Sequence, residues 1–404
     1  AAAAGGLSWQ DVVTASTVTV EAGKGYPINT TSNTCTITLP SSAEAGDQII
    51  FVDYARTWGT YEIIIDSNGL NYQGEDDTYI VDYDTDGQTV SIVYSDATVG
   101  WIPESDVDVT DAPSPPPTQK GIFAYGYASG ALSMSNLVNS SGVIASDVDG
   151  VGTARYDTAA AGYGTDKAIF AYGSTGSYIS ISNLVSNSGV VASDTTGVGT
   201  ARALIASATY GTDKAIFGYG DNAGGKLSMT NLVSNSGVVG SDVSGVGTAR
   251  TPQATEYGVG LAIFGYGHDG SSRTSLTNLV TNVGVVGSDV TGVGTGRDGG
   301  GAAGYGVGLA IFAYGNTPDK ISISNLVTNV GVVGTDVSGV GTARSGLSGT
   351  RYGGDKAIFA YGTTGSFVSL SNLVNSSGVI AADVTGVGTG RTTTAGAAGY
   401  SITA

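Results

Sequence analysis

Histidine and cysteine are nearly absent from the sequence: its 404 residues include one of each, His268 and Cys35. A zinc site, a Cys–His nucleophile pair and a Ser-His-Asp triad each need more of these residues than the chain offers. Basic residues are also few, with 16 Lys and Arg against 34 Asp and Glu and a net charge of −18. Nucleic-acid binding requires a basic surface that replaces the counterions of phosphates, so the composition excludes this class.

The chain also lacks long apolar runs. No segment approaches the ~18–20 apolar residues of a membrane span, and the first residues carry neither the basic nor the apolar region of a secretory signal. Charged residues make up 12% of the chain, whereas 65 residues are Gly and 41% are hydrophobic. This composition is too apolar for disorder, and the glycines do not follow the three-residue period of collagen. We therefore predict an acidic all-β protein that binds no cofactor and no metal.

Charge and proline divide the chain in two. Residues 1–119 hold 18 acidic and two basic side chains, whereas residues 120–404 hold 16 and 14. Between them, Asp111-Ala-Pro-Ser-Pro-Pro-Pro-Thr118 cannot pair as a strand because proline lacks the N–H group. We predict an N-terminal domain over residues 1–110, a semi-rigid linker over 111–119 and a second domain over 120–404.

The acidic first domain leaves two interpretations open. Glu75-Asp76-Asp77 and the series Asp82, Asp84, Asp86 offer oxygen ligands, but the segment 82–93 lacks the glutamate at the twelfth position of a calcium loop. The favoured alternative is a solvated β-surface that is kept soluble by its charge.

Residues 7–103 are predicted to form about eight short strands. The clearest are Thr17–Val20, Cys35–Leu39, Gln48–Tyr54, Glu62–Asp66 and Gln88–Tyr94. The Asn68-Gly69 and Asp86-Gly87 pairs offer the positive φ angles that tight hairpin turns require. A small β-sandwich or β-prism is the expected architecture.

The second domain consists of six copies of one unit. The motif Ala-Ile-Phe-(Ala/Gly)-Tyr-Gly, with Gly in place of the first Ala in copy 1, recurs every 47 or 48 residues and is followed by Asn-Leu-Val. Each copy then carries an Asp, the sequence Gly-Val-Gly-Thr, and an Arg eight residues after the Asp. These pairs are Asp147/Arg155, Asp194/Arg202, Asp242/Arg250, Asp289/Arg297, Asp336/Arg344 and Asp383/Arg391.

Each copy is predicted to form four strands. In the second copy they are Lys167–Gly173, Tyr178–Val185, Gly189–Asp194 and a stretch near Arg202–Tyr210. Four strands in ~40–50 residues is the scale of a propeller blade, whereas a β-solenoid rung repeats at roughly half that length. We predict a six-bladed β-propeller in which the C-terminal segment, residues 392–404, completes the blade that begins at Gly121.

Resemblances to known families sharpen this prediction. The order Arg…Tyr-Gly…Ile-Phe-Ala-Tyr-Gly…Asn-Leu-Val…Asp…Arg resembles a kelch-type blade, with Tyr-Gly where kelch has Gly-Gly and without the kelch Trp. Over residues 120–404 the units, notably Asn-Leu-Val-Ser-Asn-Ser-Gly-Val-Val, look like repeats of tailed-bacteriophage structural and fibre proteins. In the first domain, Leu39-Pro40, Gly46-Asp47, Asn68-Gly69 and Gly100-Trp101 resemble a tailed-phage fibre module. The resemblance implies a virion attachment domain that forms trimers, and no enzymatic activity.

Two groups of residues are candidates for function. We interpret the six Asp/Arg pairs as charged contacts that anchor one blade to the next, because a lone charge at a buried interface costs several kcal/mol; a sixfold set of sugar sites is the alternative. Loops that vary between copies are the second group, since loops on a rigid scaffold commonly carry binding. Lys226, His268, Arg273 and Lys320 give these loops a polarity suited to a glycan or a protein. Drift in exposed loops is the favoured explanation of the variation.

These observations predict a structural protein of a phage virion, such as a tail fibre, a capsid-attached fibre or another surface appendage. The first domain would bind other virion proteins, and the propeller would serve adhesion or host recognition through a host-surface glycan or protein. A secreted or cell-surface bacterial adhesin of the lectin type is the alternative. A propeller glycan hydrolase or lyase is remote, because the only repeated acid is matched with an Arg and the sialidase aspartate box is absent.

Overall fold

The computed structural model describes residues 7–77, 81–104, 119–393 and 396–400. Every regular element in these ranges is a β-strand, which confirms the all-β prediction. The chain divides into two compact units, Ala1–Pro115 and Pro116–Ala404, so the division falls within the proline-rich segment. The predicted linker, except for Gln119, lies outside the described residues.

The first unit contains two sheets. Its described strands are Ser8–Trp9, Thr17–Thr19, Lys24–Ile28, Cys35–Thr38, Gln48–Asp53, Ile63–Asp66, Val81–Tyr83, Thr89–Tyr94 and Trp101–Pro103. The first six alternate between a five-stranded and a four-stranded sheet. Among these six, neighbouring strands within a sheet run parallel, as in the pairing of Lys24–Ile28 with Gln48–Asp53. The last three strands pair antiparallel. One hydrophobic cluster combines buried residues of both sheets, among them Cys35, Phe51 and Trp101.

The prediction of tight hairpins in this unit is wrong. Asn68, Gly69 and Gly87 do have positive φ angles of 54°, 84° and 78°. However, Asp86-Gly87 connects Val81–Tyr83 to Thr89–Tyr94, and these strands belong to different sheets. Asn68-Gly69 lies where the chain leaves the strand Ile63–Asp66. In this unit the residues with positive φ angles redirect the chain as it leaves a sheet. Such a connection needs the same backbone angles as a hairpin turn.

The second unit contains six three-stranded antiparallel sheets, each with an Ile-Phe strand in the middle. We number them by copy: sheet 1, Lys120–Tyr127, Ala131–Val138 and Ala397–Tyr400; sheet 2, Ala159–Tyr163, Lys167–Ser174 and Tyr178–Val185; sheet 3, Ala206–Tyr210, Lys214–Gly218 and Thr230–Val233; sheet 4, Gln253–Tyr257, Leu261–Gly265 and Thr277–Val280; sheet 5, Gly301–Tyr305, Leu309–Asn316 and Lys320–Val327; sheet 6, Ser348–Tyr352, Lys356–Ala360 and Ser371–Val374. A short pair, Asp221–Asn222 with Gly225–Lys226, follows the middle strand of sheet 3.

One of the four strands predicted per copy does not form. In the second copy, the segment Gly189–Asp194 makes only an isolated bridge between Val191 and Val185. The Asn183 side chain accounts for this, because its Nδ2 donates to the Ala192 carbonyl and to Asp194 Oδ1, both at 2.9 Å. A side-chain amide thus takes the place that a second ladder strand would occupy.

Each sheet packs on the next through a tyrosine of one and a phenylalanine of the other. Tyr125, for example, lies 5.4 Å from Phe170 of sheet 2 between ring centroids. Sheet 6 packs on sheet 1 in the same way, since Tyr361 lies 5.4 Å from Phe123. The strand Ala397–Tyr400 pairs antiparallel with Lys120–Phe123, as the phase of the repeats predicts.

The two ends of these sheets differ. The eight-residue middle strand Lys167–Ser174 runs roughly 26 Å from one end to the other. One end, which we call the loop face, carries loops 126–132, 174–178, 221–226, 268–273, 316–320 and 363–367. The other, the turn face, carries turns 164–166, 211–213, 258–260, 306–308 and 353–355. Gln119 lies on the turn face, because its carbonyl accepts a hydrogen bond from the Gly353 N–H at 2.8 Å.

Candidate functional site

The six repeat arginines are fully buried between successive sheets. Arg202 of copy 2 donates from Nε to the Tyr219 carbonyl at 3.0 Å and from Nη2 to Asn231 Oδ1 at 2.7 Å, both in copy 3. Its guanidinium carbon lies 4.4 Å from the ring centroid of Tyr172 in its own copy. One side chain therefore links two copies through hydrogen bonds on one side and a cation–π contact on the other.

The backbone conformation of the Tyr-Gly pair in the motif allows the arginine to reach the tyrosine carbonyl. Tyr172 and Gly173 have φ angles of 61° and 111°, and the strand pairing shifts its register between Ala171 and Gly173. A left-handed tyrosine costs about 1–2 kcal/mol, yet it occurs in all six copies. The bulge directs the tyrosine carbonyl away from its own ladder, and in sheet 3 the corresponding carbonyl of Tyr219 receives Arg202.

The repeat aspartates meet the arginine of the preceding copy rather than the arginine eight residues ahead of them. Asp242 Oδ1 lies 4.0 Å from Arg202 Nη1. The same carboxylate accepts hydrogen bonds from Thr200 Oγ1 at 2.7 Å and from Asn231 Nδ2 at 2.9 Å. Further ion pairs of this kind are Arg250–Asp289, Arg344–Asp383 and Arg391–Asp147. The arginines of these pairs are buried, whereas the aspartate side chains are 26–32% exposed. Because both groups bind residues of a neighbouring copy, we interpret them as structural.

Local contacts shift the pKa values of these groups. Burial alone would raise the pKa of Asp147, but hydrogen bonds from Thr389 and Asn136 and the charge of Arg391 outweigh it and hold the pKa below its ordinary value. Burial lowers the pKa of the Arg391 guanidinium. The group stays protonated at neutral pH because arginine starts from a very high value. The carboxylate and the guanidinium are therefore both charged.

The four basic residues predicted for the loops all lie on the loop face, on sheets 3 to 5. Lys226 forms an ion pair with Asp221 at 2.6 Å, and Arg273 Nε pairs with Asp298 at 2.8 Å. His268 bridges to Arg273 through the backbone and accepts the Gly270 N–H on Nδ1 at 2.9 Å. Lys320 begins the strand Lys320–Val327 and is half-buried. The loops of sheets 3 and 4 adjoin, because a Cβ at Gly270 would lie 3.7 Å from Lys226 Cγ.

Sequence reasoning missed an aromatic cluster on the same face. Tyr127 of copy 1 lies 5.3 Å from Tyr156 and 6.1 Å from Phe367 of copy 6 between ring centroids. Tyr127 and Phe367 are 40% and 43% exposed. Both residues stand in loops identified as variable, but nothing in the linear sequence places copy 6 beside copy 1 except the phase of the final strand.

The loop face thus has two chemically different sectors. Loops 126–132, 174–178 and 363–367 contain no charged residue and carry the aromatic cluster. The loops of sheets 3 to 5 carry the basic residues and their acidic partners. Exposed aromatic rings stack on the apolar faces of sugars and peptides, whereas paired charges orient polar ligands.

A cavity of about 300 Å³ is lined by one strand of each sheet: Ala159–Tyr163, Ala206–Tyr210, Gln253–Tyr257, Gly301–Tyr305, Ser348–Tyr352 and Ala397–Tyr400. Arg351 Nη1 and Glu256 Oε1 lie 3.6 Å apart in its wall. Arg351 Nη2 also donates to the Gly306 and Gly354 carbonyls, at 2.9 Å each. These bonds hold the guanidinium in place, and the small residue Gly304 leaves room for the ion pair.

The acidic first unit was a candidate for metal binding. Among the described residues, no group of three or more His, Cys, Asp or Glu side chains gathers as a metal site requires. Asp86 instead accepts a hydrogen bond from the Gly59 N–H at 2.8 Å. Cys35 is buried, and burial raises the pKa of its thiol to about 11.

Comparisons with known proteins add no assignment. No protein-family model matches the chain, and no curated protein has a recognisably similar sequence. Within the described part of the chain, no helix has the length and apolar character needed to cross a membrane.

Proposed function

We propose that residues 120–404 form a closed, six-bladed β-propeller. Three observations support closure: the antiparallel pairing of Ala397–Tyr400 with Lys120–Phe123, the contact of Tyr361 with Phe123, and the hydrogen bond of Arg391 to Asn136. Each of these contacts joins the last copy to the first in the same way as an equivalent contact joins two copies that are adjacent in sequence. For the first unit we propose a β-sandwich, because one hydrophobic cluster draws on both of its sheets.

We infer that this propeller is a rigid scaffold that displays recognition loops and has no catalytic role. The observation that carries the proposal is the separation of constant from variable parts. The buried arginine, tyrosine and asparagine recur between the sheets, whereas residues on the loop face change from copy to copy. The chain enters the unit at Gln119, at the opposite end of the sheets.

The setting that best suits this arrangement is the surface of a phage virion. The first unit would attach to other virion proteins and associate with further copies of itself, and the loops would contact the host surface. This setting rests on the resemblance of both domains to phage fibre proteins. Immunogold labelling of purified particles with an antibody against residues 120–404 tests it, and unlabelled particles would refute it.

A glycan is the favoured ligand of the loop face, whether the carrier is a virion or a bacterial cell. The aromatic sector favours it, because two half-exposed rings in an uncharged setting offer stacking surface for a sugar. Two rings present far less than the ~800 Å² per partner that a stable protein interface buries.

Binding of the full chain to an array of bacterial surface polysaccharides tests this ligand class. The variant Tyr127→Ser introduces the residue that copy 2 carries at the same place, Ser174, so we expect it to fold. It should weaken binding at least tenfold. Tyr61→Ser, which removes an equally exposed tyrosine from the first unit, is the matched control and should bind as wild type. If both variants bind the polysaccharide equally well, the aromatic sector is not part of the ligand site.

A further inference from the structure

The turn face is polar in some sheets and apolar in others. The turns of sheets 2, 3 and 6 carry Asp–Lys ion pairs: Asp166–Lys167 at 2.7 Å, Asp213–Lys214 at 2.8 Å and Asp355–Lys356 at 2.8 Å. Sheets 4 and 5 carry Gly-Val-Gly-Leu instead. Their valines, Val259 and Val307, are 85% and 93% exposed.

A second position on the same face changes in the same two copies. After Asn-Leu-Val, the third residue of the turn is serine in four copies, as at Ser188. In copies 4 and 5 it is Val283 and Val330, which are 69% and 68% exposed. Each is followed by Gly and a further valine, Val285 or Val332, both 60% exposed. Both of these turns therefore carry a valine in place of a polar residue in copies 4 and 5, and in no other copy.

Backbone contacts join these turns into one surface. The Gly258 N–H donates to the Gly308 carbonyl at 2.8 Å, so the turns that carry Val259 and Val307 touch. A Cβ at Gly258 would lie 2.8 Å from the Asn329 carbonyl oxygen, which brings the Val330 turn alongside. The Gly211 N–H donates to Gly260, and a Cβ at Gly211 would lie 2.9 Å from the Asn282 oxygen, beside Val283. We call the six residues Val259, Val283, Val285, Val307, Val330 and Val332 the valine patch.

The size of the valine patch indicates an interface. Six side chains at these exposures present on the order of 600 Å² of apolar surface, which is the upper end of what a soluble monomer shows and approaches the ~800 Å² per partner of a stable complex. Burial of such a surface is favourable because it removes apolar area from water.

We propose that two copies of this chain associate through the valine patch in a twofold contact. A twofold contact brings a surface against its own copy, so the surface must complement itself. An uncharged apolar patch does so, whereas a patch with net charge would repel its copy. Long-range repulsion between the second units is also small, since residues 120–404 hold 16 acidic and 14 basic side chains. This proposal does not depend on the ligand of the loop face.

The repeats themselves supply the test variant. Val259→Thr, Val307→Thr, Val283→Ser and Val330→Ser together place on sheets 4 and 5 the residues found at the same positions in copies 2 and 3, Thr165, Thr212, Ser188 and Ser236. All four valines are at least 68% exposed, and substitutions at exposed positions seldom change stability much, so the fold should be retained. A circular dichroism spectrum and a melting temperature close to those of wild type verify this.

Sedimentation equilibrium of the full chain over a range of concentrations measures the association. We expect the fourfold variant to have a lower mass than wild type, and half the wild-type mass if the valine patch is the one contact between copies. Val143→Ser with Val190→Ser, two exposed valines of sheets 1 and 2 outside the patch, should leave the mass unchanged. Equal masses of wild type and fourfold variant at all concentrations would overturn the proposal. A halved mass in the control pair would overturn it as well, because the contact would then lie elsewhere on the turn face.

Discussion

Arg391 Nη2 donates a 2.7 Å hydrogen bond to Asn136 Oδ1, although 255 positions separate the two residues in the chain. The same bond, also 2.7 Å long, joins Arg155 to Asn183 across 28 positions. The contact between the last and first copies therefore has the same geometry as a contact between neighbours in sequence. This equivalence allows the long-range contact to be tested against its local counterparts.

Loss of the Arg391 guanidinium should strongly destabilise the second unit. Arg391→Met leaves the Asn136 oxygen and the Tyr125 carbonyl without their donor and leaves Asp147 without its cation. We expect a loss of about 3–5 kcal/mol in the free energy of unfolding, measured by urea denaturation. Arg273→Met, at a pair with Asp298 in which the arginine itself is 31% exposed, should cost less than about 1 kcal/mol. Similar losses for both variants would contradict a special role for the buried arginine.

Stability should fall at acid pH because of the repeat aspartates. Their pKa values are lowered in the folded state, as shown for Asp147, Asp194 and Asp242. A carboxyl group with a lowered folded pKa contributes its full stabilisation above its unfolded pKa and loses it as the pH falls through the folded value. We expect a constant melting temperature from about pH 7 to pH 5 and a decline below about pH 4.

Asp147→Asn tests the origin of this decline. Compared with wild type, the variant should melt at a lower temperature near pH 7, and the difference should shrink as the pH falls through the lowered pKa of the wild-type carboxyl. A difference that stays the same size as the pH falls would show that the ionisation of Asp147 does not contribute.

The final strand should be required for a stable second unit. Deletion of residues 396–404 removes the partner of Lys120–Phe123 and exposes a strand edge together with the apolar surface under Ala397 and Tyr400. We expect a lower melting temperature and aggregation, measured by calorimetry and light scattering, because open edges pair with other chains. Deletion of residues 401–404 alone leaves Ala397–Tyr400 in place and should have little effect. A stable, monodisperse product from the longer deletion would argue against the closed propeller.

Alanine substitutions at two glycines with similar φ angles separate the cost of backbone strain from the cost of steric overlap. Gly173 and Gly176 have φ angles of 111° and 102°. A Cβ at Gly173 would lie 2.7 Å from the Tyr156 carbonyl oxygen, whereas a Cβ at Gly176 would have no neighbour within 4 Å. Gly176→Ala should cost about 1 kcal/mol and Gly173→Ala about 3 kcal/mol, as measured by urea denaturation. Equal costs would mean that the bulge relaxes around the added methyl group.

Periodicity made much of the fold predictable from the sequence. The recurrence of Ile-Phe and Asn-Leu-Val located the paired strands, and the phase of the repeats predicted the pairing of the last strand with the first. In the first unit, strands such as Gln48–Asp53 were predicted to within a residue because buried and half-buried positions alternate along them. These features depend on local pattern, which a single sequence contains.

Contacts between residues of different sheets were harder to predict from the sequence. The spacing of eight residues drew attention to Asp194 with Arg202, but Arg202 pairs with Asp242. The hairpin prediction for Asp86-Gly87 failed for a related reason: positive φ angles determine how a chain turns, whereas the packing of two sheets determines which strand it meets next.

By itself, then, the sequence determined that six similar β-units follow an acidic β-domain, because strand period, turn residues and repeat length are local properties. Only the tertiary structure decided which side chains share a surface. It brought Tyr127 to Phe367 and aligned the turns of Val259 and Val330, because the register between sheets sets the distances between residues that are remote in the chain.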